Sequence, residues 1–280
     1  MEIFQIPALR SPVMIAAFGG WNDAGEAATG AISHLASIWP ATTIAQVYPE
    51  DFYDFQVNRP TVFLDGSKTR QLIWPATEVF GVATPHLPFD LVLVKGLEPS
   101  MRWRSFTADL LDLADDLDVA TLITVGSLLA DTPHSRSIPV SRSAAHPDIA
   151  ERLGVEVSGY EGPTGILGVL QNAASRRGID AISLWSAIPH YASAAPSPKA
   201  ILALVNALED FLNISIPQGD LPSQSQDWEA SINQLANEDS EIADYVRHLE
   251  ASKDATDLPN ATGESIAREF ERYLRRRNIE

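Results

Sequence analysis

The chain has 280 residues, 45% of them hydrophobic and 20% charged, which is apolar material for one large core and an appendage. With 20 basic and 37 acidic side chains, its formal net charge of −17 repels phosphate backbones and anionic bilayers, so neither nucleic acid nor membrane is an expected partner. The absence of cysteine rules out disulfides, thiolate metal sites and cysteine nucleophiles.

Met1-Glu2-Ile3-Phe4 has no basic segment leading into an apolar run, so no secretory signal is expected. No stretch approaches the roughly 20 apolar residues that cross a bilayer. A cytoplasmic location is the expectation. Val13 to Phe18 reads as a strand buried on both faces, followed by the tight loop Gly19-Gly20-Trp21-Asn22. Asp23 then stands as a helix N-cap, with Glu26 three positions on to complete a capping-box-like pair. Ala24, Ala27, Ala28, Ala31, Ile32, Leu35 and Ile38 follow at helical spacing, small residues first, as in a helix whose first half lies close to a sheet; Pro40 stops it.

Thr43 to Tyr48, Thr61 to Leu64 and Gln71 to Trp74 read as short β segments around an aromatic stretch. Leu91 to Val94 is a buried strand, with Lys95 to Pro99 as its loop. Trp103, Phe106, Leu110, Leu113 and Leu117 mark a helix, and Thr121 to Val125 the next strand, ending at Gly126-Ser127. A long loop is expected from Leu128 to Ala145, the kind of segment that is functional or mobile. Val155 to Val157 is a short strand. Gly162-Pro163 is expected to start a helix that Gly178 ends. Ala181 to Trp185 is a buried strand, Ser186 to Tyr191 its loop, and Lys199 to Leu212 a helix.

This alternation predicts an α/β fold with a mainly parallel sheet covered by helices on both faces. The composition shifts at Pro217 to Gln226, a linker by its Pro and polar content. Trp228, Ile232, Leu235, Ile242, Val246 and Leu249 then make one or two amphipathic helices, and Ile266, Phe270 and Leu274 a last one ended by Arg275-Arg276-Arg277. The expected division is an α/β core over residues 1–216 and a helical extension over 217–280.

Ligands of open parallel sheets sit beyond the C-terminal ends of the strands. The loops there offer Asn22, Asp23, Glu98, Ser127, Asp131, His134, Arg136, Glu161, Thr164, His190 and Tyr191. Each also has a structural use: Asp23 as a cap, Asp131 as an Asx turn, His190 as a core or interface histidine, Glu161 as a charge near a helix N-terminus. Stock motifs are missing. There is no Gly-x-x-x-x-Gly-Lys-Ser/Thr loop, and Gly162, Gly165 and Gly168 do not form the dinucleotide fingerprint. Gly126-Ser127-Leu128-Leu129 lacks the second glycine of a nucleophile elbow. No histidine pair has metal-ligand spacing, and no cofactor is expected.

Gly20-Trp21-Asn22-Asp23-Ala24-Gly25 resembles the proteasome assembly chaperone family in its prokaryotic branch. The resemblance continues at Leu97-Glu98-Pro99, along Gly126 to Arg136, at Tyr160 to Gly165, at Ser183-Leu184-Trp185 with Pro189-His190-Tyr191, and at Pro198-Lys199-Ala200. Near the end it takes in Tyr245 to Glu250 and Ile266 to Arg277, so it spans nearly the whole chain. It implies a fold similar to nucleoside phosphorylases and related hydrolases, and a homo-oligomer, with a trimer favoured. It also implies a non-enzymatic factor that binds protein partners such as proteasome-like subunits. It supplies no catalytic residues. The alternative is a small-molecule binder or a hydrolase or phosphorylase-type enzyme using Asn22, Glu98, Arg136, Glu161 and His190. Arg136 would then hold an anion, and His190 or Glu161 would move a proton.

Overall fold

The computed structural model of the protein describes residues 1–257. The expected last helix, with Ile266, Phe270, Leu274 and the arginines 275–277, lies outside the described residues. In chain order the strands are β1 (Glu2–Ile3), β2 (Val13–Gly19), β3 (Ala41–Val47), β4 (Thr61–Leu64), β5 (Arg70–Ile73), β6 (Thr77–Val82), β7 (Leu91–Leu97), β8 (Thr121–Ala130), β9 (Val140–Ala144), β10 (Glu156–Val157) and β11 (Asp180–Pro189). The helices are α1 (Ala27–Ile38), α2 (Trp103–Asp116), α3 (Pro147–Leu153), α4 (Ile166–Arg176), α5 (Pro198–Leu212), α6 (Leu221–Glu238) and α7 (Ser240–Asp257).

Nine strands form one mixed sheet in the order β1-β3-β6-β7-β2-β8-β11-β9-β10; β4 and β5 form a separate two-stranded one. β2 pairs in parallel with β7 and β8, and β9 with β10. β1, β3, β6 and β7 pair in antiparallel fashion. The α/β architecture expected from the alternating units is present. Strand β6 was not read from the sequence, because its Thr-Glu-Val-Phe-Gly-Val run follows Pro75 within a Pro-rich, aromatic segment.

The chain divides into two compact units. Unit 1 contains residues 1–22, 32–126 and 142–183. Its core is the apolar run of β2, buried from Val13 to Phe18, beside Leu91 to Val94 of β7, with Phe106, Leu110 and Leu113 of α2. Phe106 meets Phe18 and Phe52 edge-on at centroid distances of 5.6 and 5.3 Å, the favourable geometry for aromatic quadrupoles. Asp90, buried, accepts from the Arg10 guanidinium at 2.8 Å and from the Thr84 backbone N–H at 2.8 Å. Burial alone would raise this carboxyl, but the hydrogen bonds from Arg10 and Thr84 hold it at about 2.

Unit 2 contains residues 23–31, 127–141 and 184 onward. Here α5 packs on α6, and α6 on α7. Ala200, Ile201, Leu204, Val205 and Leu208 supply the buried stripe of α5. The small residues at the start of α1 serve this packing: a Cβ on Gly30 would lie 2.6 Å from Ile201 Cδ1. The polar stretch Pro217 to Gln226, expected as a linker, is already helical from Leu221. Leu235, expected to face inward, is exposed.

Three further local readings are corrected. The capping box at Asp23 does not form, because Ala24–Glu26 is a 3₁₀ turn in which Gly25 and Glu26 take left-handed φ of 59° and 49°. Asp23 instead reaches past that turn to accept from the N–H groups of Ala28 and Thr29 and from the Thr29 hydroxyl, capping α1 proper. The loop expected over 128–145 is shorter: β8 runs to Ala130, and β9 pairs Ser143 with Glu156 and Ala144 with Val157. Its sequence, Val-Ser-Arg-Ser-Ala, has no apolar run to announce a strand. The helix expected at Gly162-Pro163 begins at Ile166, since Gly162 sits at φ +156° and the Tyr160 hydroxyl donates to the Pro163 carbonyl at 2.7 Å, closing a turn instead.

Candidate functional site

The predicted strand-end residues fall into two sets, one in each unit. In unit 1, Asn22 follows the end of β2, Glu98 follows β7, and both reach the N-terminus of α4. Asn22 Nδ2 donates to Glu98 Oε1 at 2.6 Å, and the Ile166 backbone N–H donates to the same oxygen at 2.8 Å. The carboxylate thus caps α4 from a distant part of the chain, where the helix dipole favours negative charge. Gly165 makes the approach possible: a Cβ there would stand 2.2 Å from Asn22 Oδ1 and 2.7 Å from Glu98 Oε1. Asn22 is buried, and its Oδ1 has no hydrogen-bond partner. Thr164 lines a cleft of about 500 Å³ between α2 and α4, with Arg104, Asn172, Arg176 and Arg177. Arg177 is held by Asp112 and Asp115 at 2.7 and 2.9 Å. Glu161 is exposed on the preceding turn.

In unit 2, Asp23 and Ser127 form an isolated parallel bridge, and the Ser127 hydroxyl donates to the Ala24 carbonyl at 2.8 Å. Burial pushes the Asp23 carboxyl above its ordinary value, against the pull of its hydrogen bonds from Thr29 and Ala28.

The remaining five residues lie on the segment 131–136 and on the 3₁₀ turn His190–Ala192 that follows β11. His134 is buried. Its Nε2 faces Asn233 Oδ1 at 3.1 Å and its Nδ1 faces the Tyr191 hydroxyl at 2.8 Å. An amide oxygen only accepts, so Nε2 carries the proton and the Tyr191 hydroxyl donates to Nδ1. The same hydroxyl oxygen accepts from the His134 backbone N–H at 2.8 Å, and Lys199 Nζ donates to the His134 carbonyl and to Glu229, each at 2.5 Å. Burial holds this imidazole below its ordinary value, with the Asn233 hydrogen bond opposing. Arg136 makes a two-pronged bond to Asp254, both contacts 2.8 Å, and pairs with Glu250 at 3.4 Å; Ser135 also donates to Glu250. Asp131 accepts from Tyr245 at 3.0 Å and lies 3.3 Å from His190 Nδ1. His190, Tyr191 and Tyr245 meet edge-to-face at 5.5 to 6.0 Å.

The partners of these residues on α6 and α7 were not among the predicted ones. Glu229 and Asn233, and Glu250 and Asp254, are each four apart, so each pair lies on one helix face. That spacing is their signal in the sequence, and the apolar stripe beside it points to packing alone. Among the described residues no group of three or more His, Asp or Glu is placed to hold a metal ion, and no helix is long and apolar enough to cross a membrane.

Residues 17–236 match the family model described as the PAC2 family. The fold is similar to the crystal structure of a PAC2 family protein from Streptomyces avermitilis, with 51% identity and a TM-score of 0.78 over 84% of this chain and 99% of that one. It is also similar to a proteasome-assembly chaperone homologue from Mycobacterium tuberculosis, with 46% identity and a TM-score of 0.76 over 84% and 99% of the two chains. An archaeal proteasome activator from Pyrococcus furiosus shares the fold at 20% identity, with a TM-score of 0.66 over 83% and 96%. None of the curated proteins matches the chain. The family model covers most of the residues, including both sets of strand-end side chains, and on that ground the chain belongs to the PAC2 family.

Proposed function

We propose that the chain is a non-enzymatic protein-binding or assembly factor. It acts as a homo-oligomer, with a trimer favoured, on protein partners such as proteasome-like subunits in the cytoplasm. Its α/β core domain spans residues 1–216, and the extension that begins at residue 217 is a second domain. The observation that carries the reading is the occupancy of the polar strand-end residues. Both ring nitrogens of His134 are engaged within the chain, Arg136 is engaged by two carboxylates, and Glu98 caps a helix. Side chains used in this way hold a surface in shape. Support for a protein partner comes from the 46%-identical Mycobacterium tuberculosis protein described as a proteasome-assembly chaperone homologue. The test is retention of purified proteasome-like subunits on a column of the immobilised chain. Retention is expected; a column that lets them all pass counts against the reading.

A second reading is favoured by one atom. Asn22 Oδ1 is buried and unpartnered beside the Glu98 carboxylate at the start of α4, a costly arrangement that a small-molecule donor would relieve. Native mass spectrometry decides: a co-purifying metabolite lost on mild denaturation supports a small-molecule binder or enzyme. A bare polypeptide mass leaves the assembly factor ahead.

A further inference from the structure

We infer that the hairpin β4–β5 is an arm with which one copy of this chain grips another. The inference rests on the homo-oligomer proposed above and names the surface that builds it. A two-stranded hairpin has no interior, and in water it is marginal by itself. The register pairs Val62 with Leu72 and Leu64 with Arg70 on one face, Thr61 with Ile73 and Phe63 with Gln71 on the other. Both faces therefore carry large apolar side chains, whereas a sheet with a solvated face alternates apolar and polar residues. All of them meet water: Val62 is 42% exposed, Phe63 44%, Leu64 66%, Leu72 56% and Ile73 57%, with Val57 at 75% and Trp74 at 46% beside them.

At these exposures the seven residues present on the order of 700 Å². Summed over both faces, that is close to the ~800 Å² per partner of a stable interface. The arm is also shaped in advance. Asp65 accepts from the backbone N–H groups of Ser67 and Thr69, from the Ser67 hydroxyl and from Gln71, closing the turn before any partner arrives. An ordered arm loses little entropy on docking.

Charge selects the occupant. Residues 57–74 contain Arg59, Lys68 and Arg70 against Asp65, a net of +2, so the rest of the chain, −17 less +2, carries −19. A cationic, apolar arm on a strongly acidic chain is complementary to a second copy of that chain, and repetition around a closed ring covers every arm.

The test is native mass spectrometry of the wild-type protein and of a variant with Leu64→Asp and Ile73→Asp, with circular dichroism of both. The expected result is a multimer for the wild type and a single chain with unchanged dichroism for the variant. A single-chain wild type removes the homo-oligomer reading and the arm with it; a folded variant that stays multimeric overturns the arm and leaves the homo-oligomer standing. Should the double variant fail to fold, Leu72→Cys places one thiol in a chain that has none. Maleimide labelling of this variant is expected to be at least about tenfold slower in the native protein than in denaturant, because thiol reaction follows access. Equal rates overturn the arm, since a hairpin left bare in the purified protein is not covered by a second copy.

Discussion

The segment Asp131–Arg136 and the hairpin β4–β5 are both connections off the main sheet, and they dispose of their side chains in opposite ways. On the first, Asp131, His134, Ser135 and Arg136 are each joined to side chains of the same chain, down to both nitrogens of a buried histidine. On the second, large apolar side chains stand on two faces and are each left about half or more in water. The contrast teaches that a polar cluster and an apolar arm are read differently. Polar side chains beyond strand ends look like chemistry until their partners are counted, and His134 and Arg136, whose partners lie within the chain, act as scaffold. Apolar side chains left in water are unfinished packing, and they point to another molecule.

The contrast can be broken at its polar end first. His134→Ala is expected to cost about 3 kcal/mol, because it opens a cavity and strands Asn233 and Tyr191; urea titration of the folded protein checks it. Glu98→Ala is expected to cost about 1–2 kcal/mol by uncapping α4 and leaving Asn22 Nδ2 without an acceptor, read by the same titration.

Acid supplies a reversible version of the first change. The folded-state imidazole of His134 titrates below its ordinary value, so the unfolded chain takes up the proton first. Stability is therefore full above about pH 6.5 and falls as the pH drops below it. Melting temperatures at about pH 7.5 and about pH 5.5 should show the decline, and His134→Gln should flatten it. Arg136→Ala is expected to cost only about 0.5–1 kcal/mol, and less at high salt, because its pair with Asp254 is partly in water. At the apolar end, Leu64→Ser in an Ile73→Asp background is expected to shift the melting free energy by less than about 0.5 kcal/mol. A large loss there would mean that the hairpin is packed within its own unit.

Much of the fold was legible because its signals are local. Val13 to Phe18, Leu91 to Val94 and Ala181 to Trp185 announce buried strands by apolar runs, and the stripes of α2 and α5 announce helices by period. Strand β9 escaped because Val-Ser-Arg-Ser-Ala earns its place by pairing with β10, a contact with no local signature. The start of α4 was misplaced for a related reason: Pro163 fits a first turn in isolation, but the helix begins where Glu98, 68 residues away in sequence, caps the Ile166 N–H.

The same division runs through the candidate site. Sequence alone determined which polar residues stand beyond the strands, that the chain is acidic and free of cysteine, and that amphipathic helices follow the core. Tertiary structure alone decided what those residues do. It set the pairing of Arg136 with Asp254, 118 positions apart, and of His134 with Asn233, 99 apart. It also left both faces of β4–β5 in water. The physical reason is range: propensity and periodicity act over a few residues, whereas burial and hydrogen-bond completion depend on whatever the folded chain brings alongside.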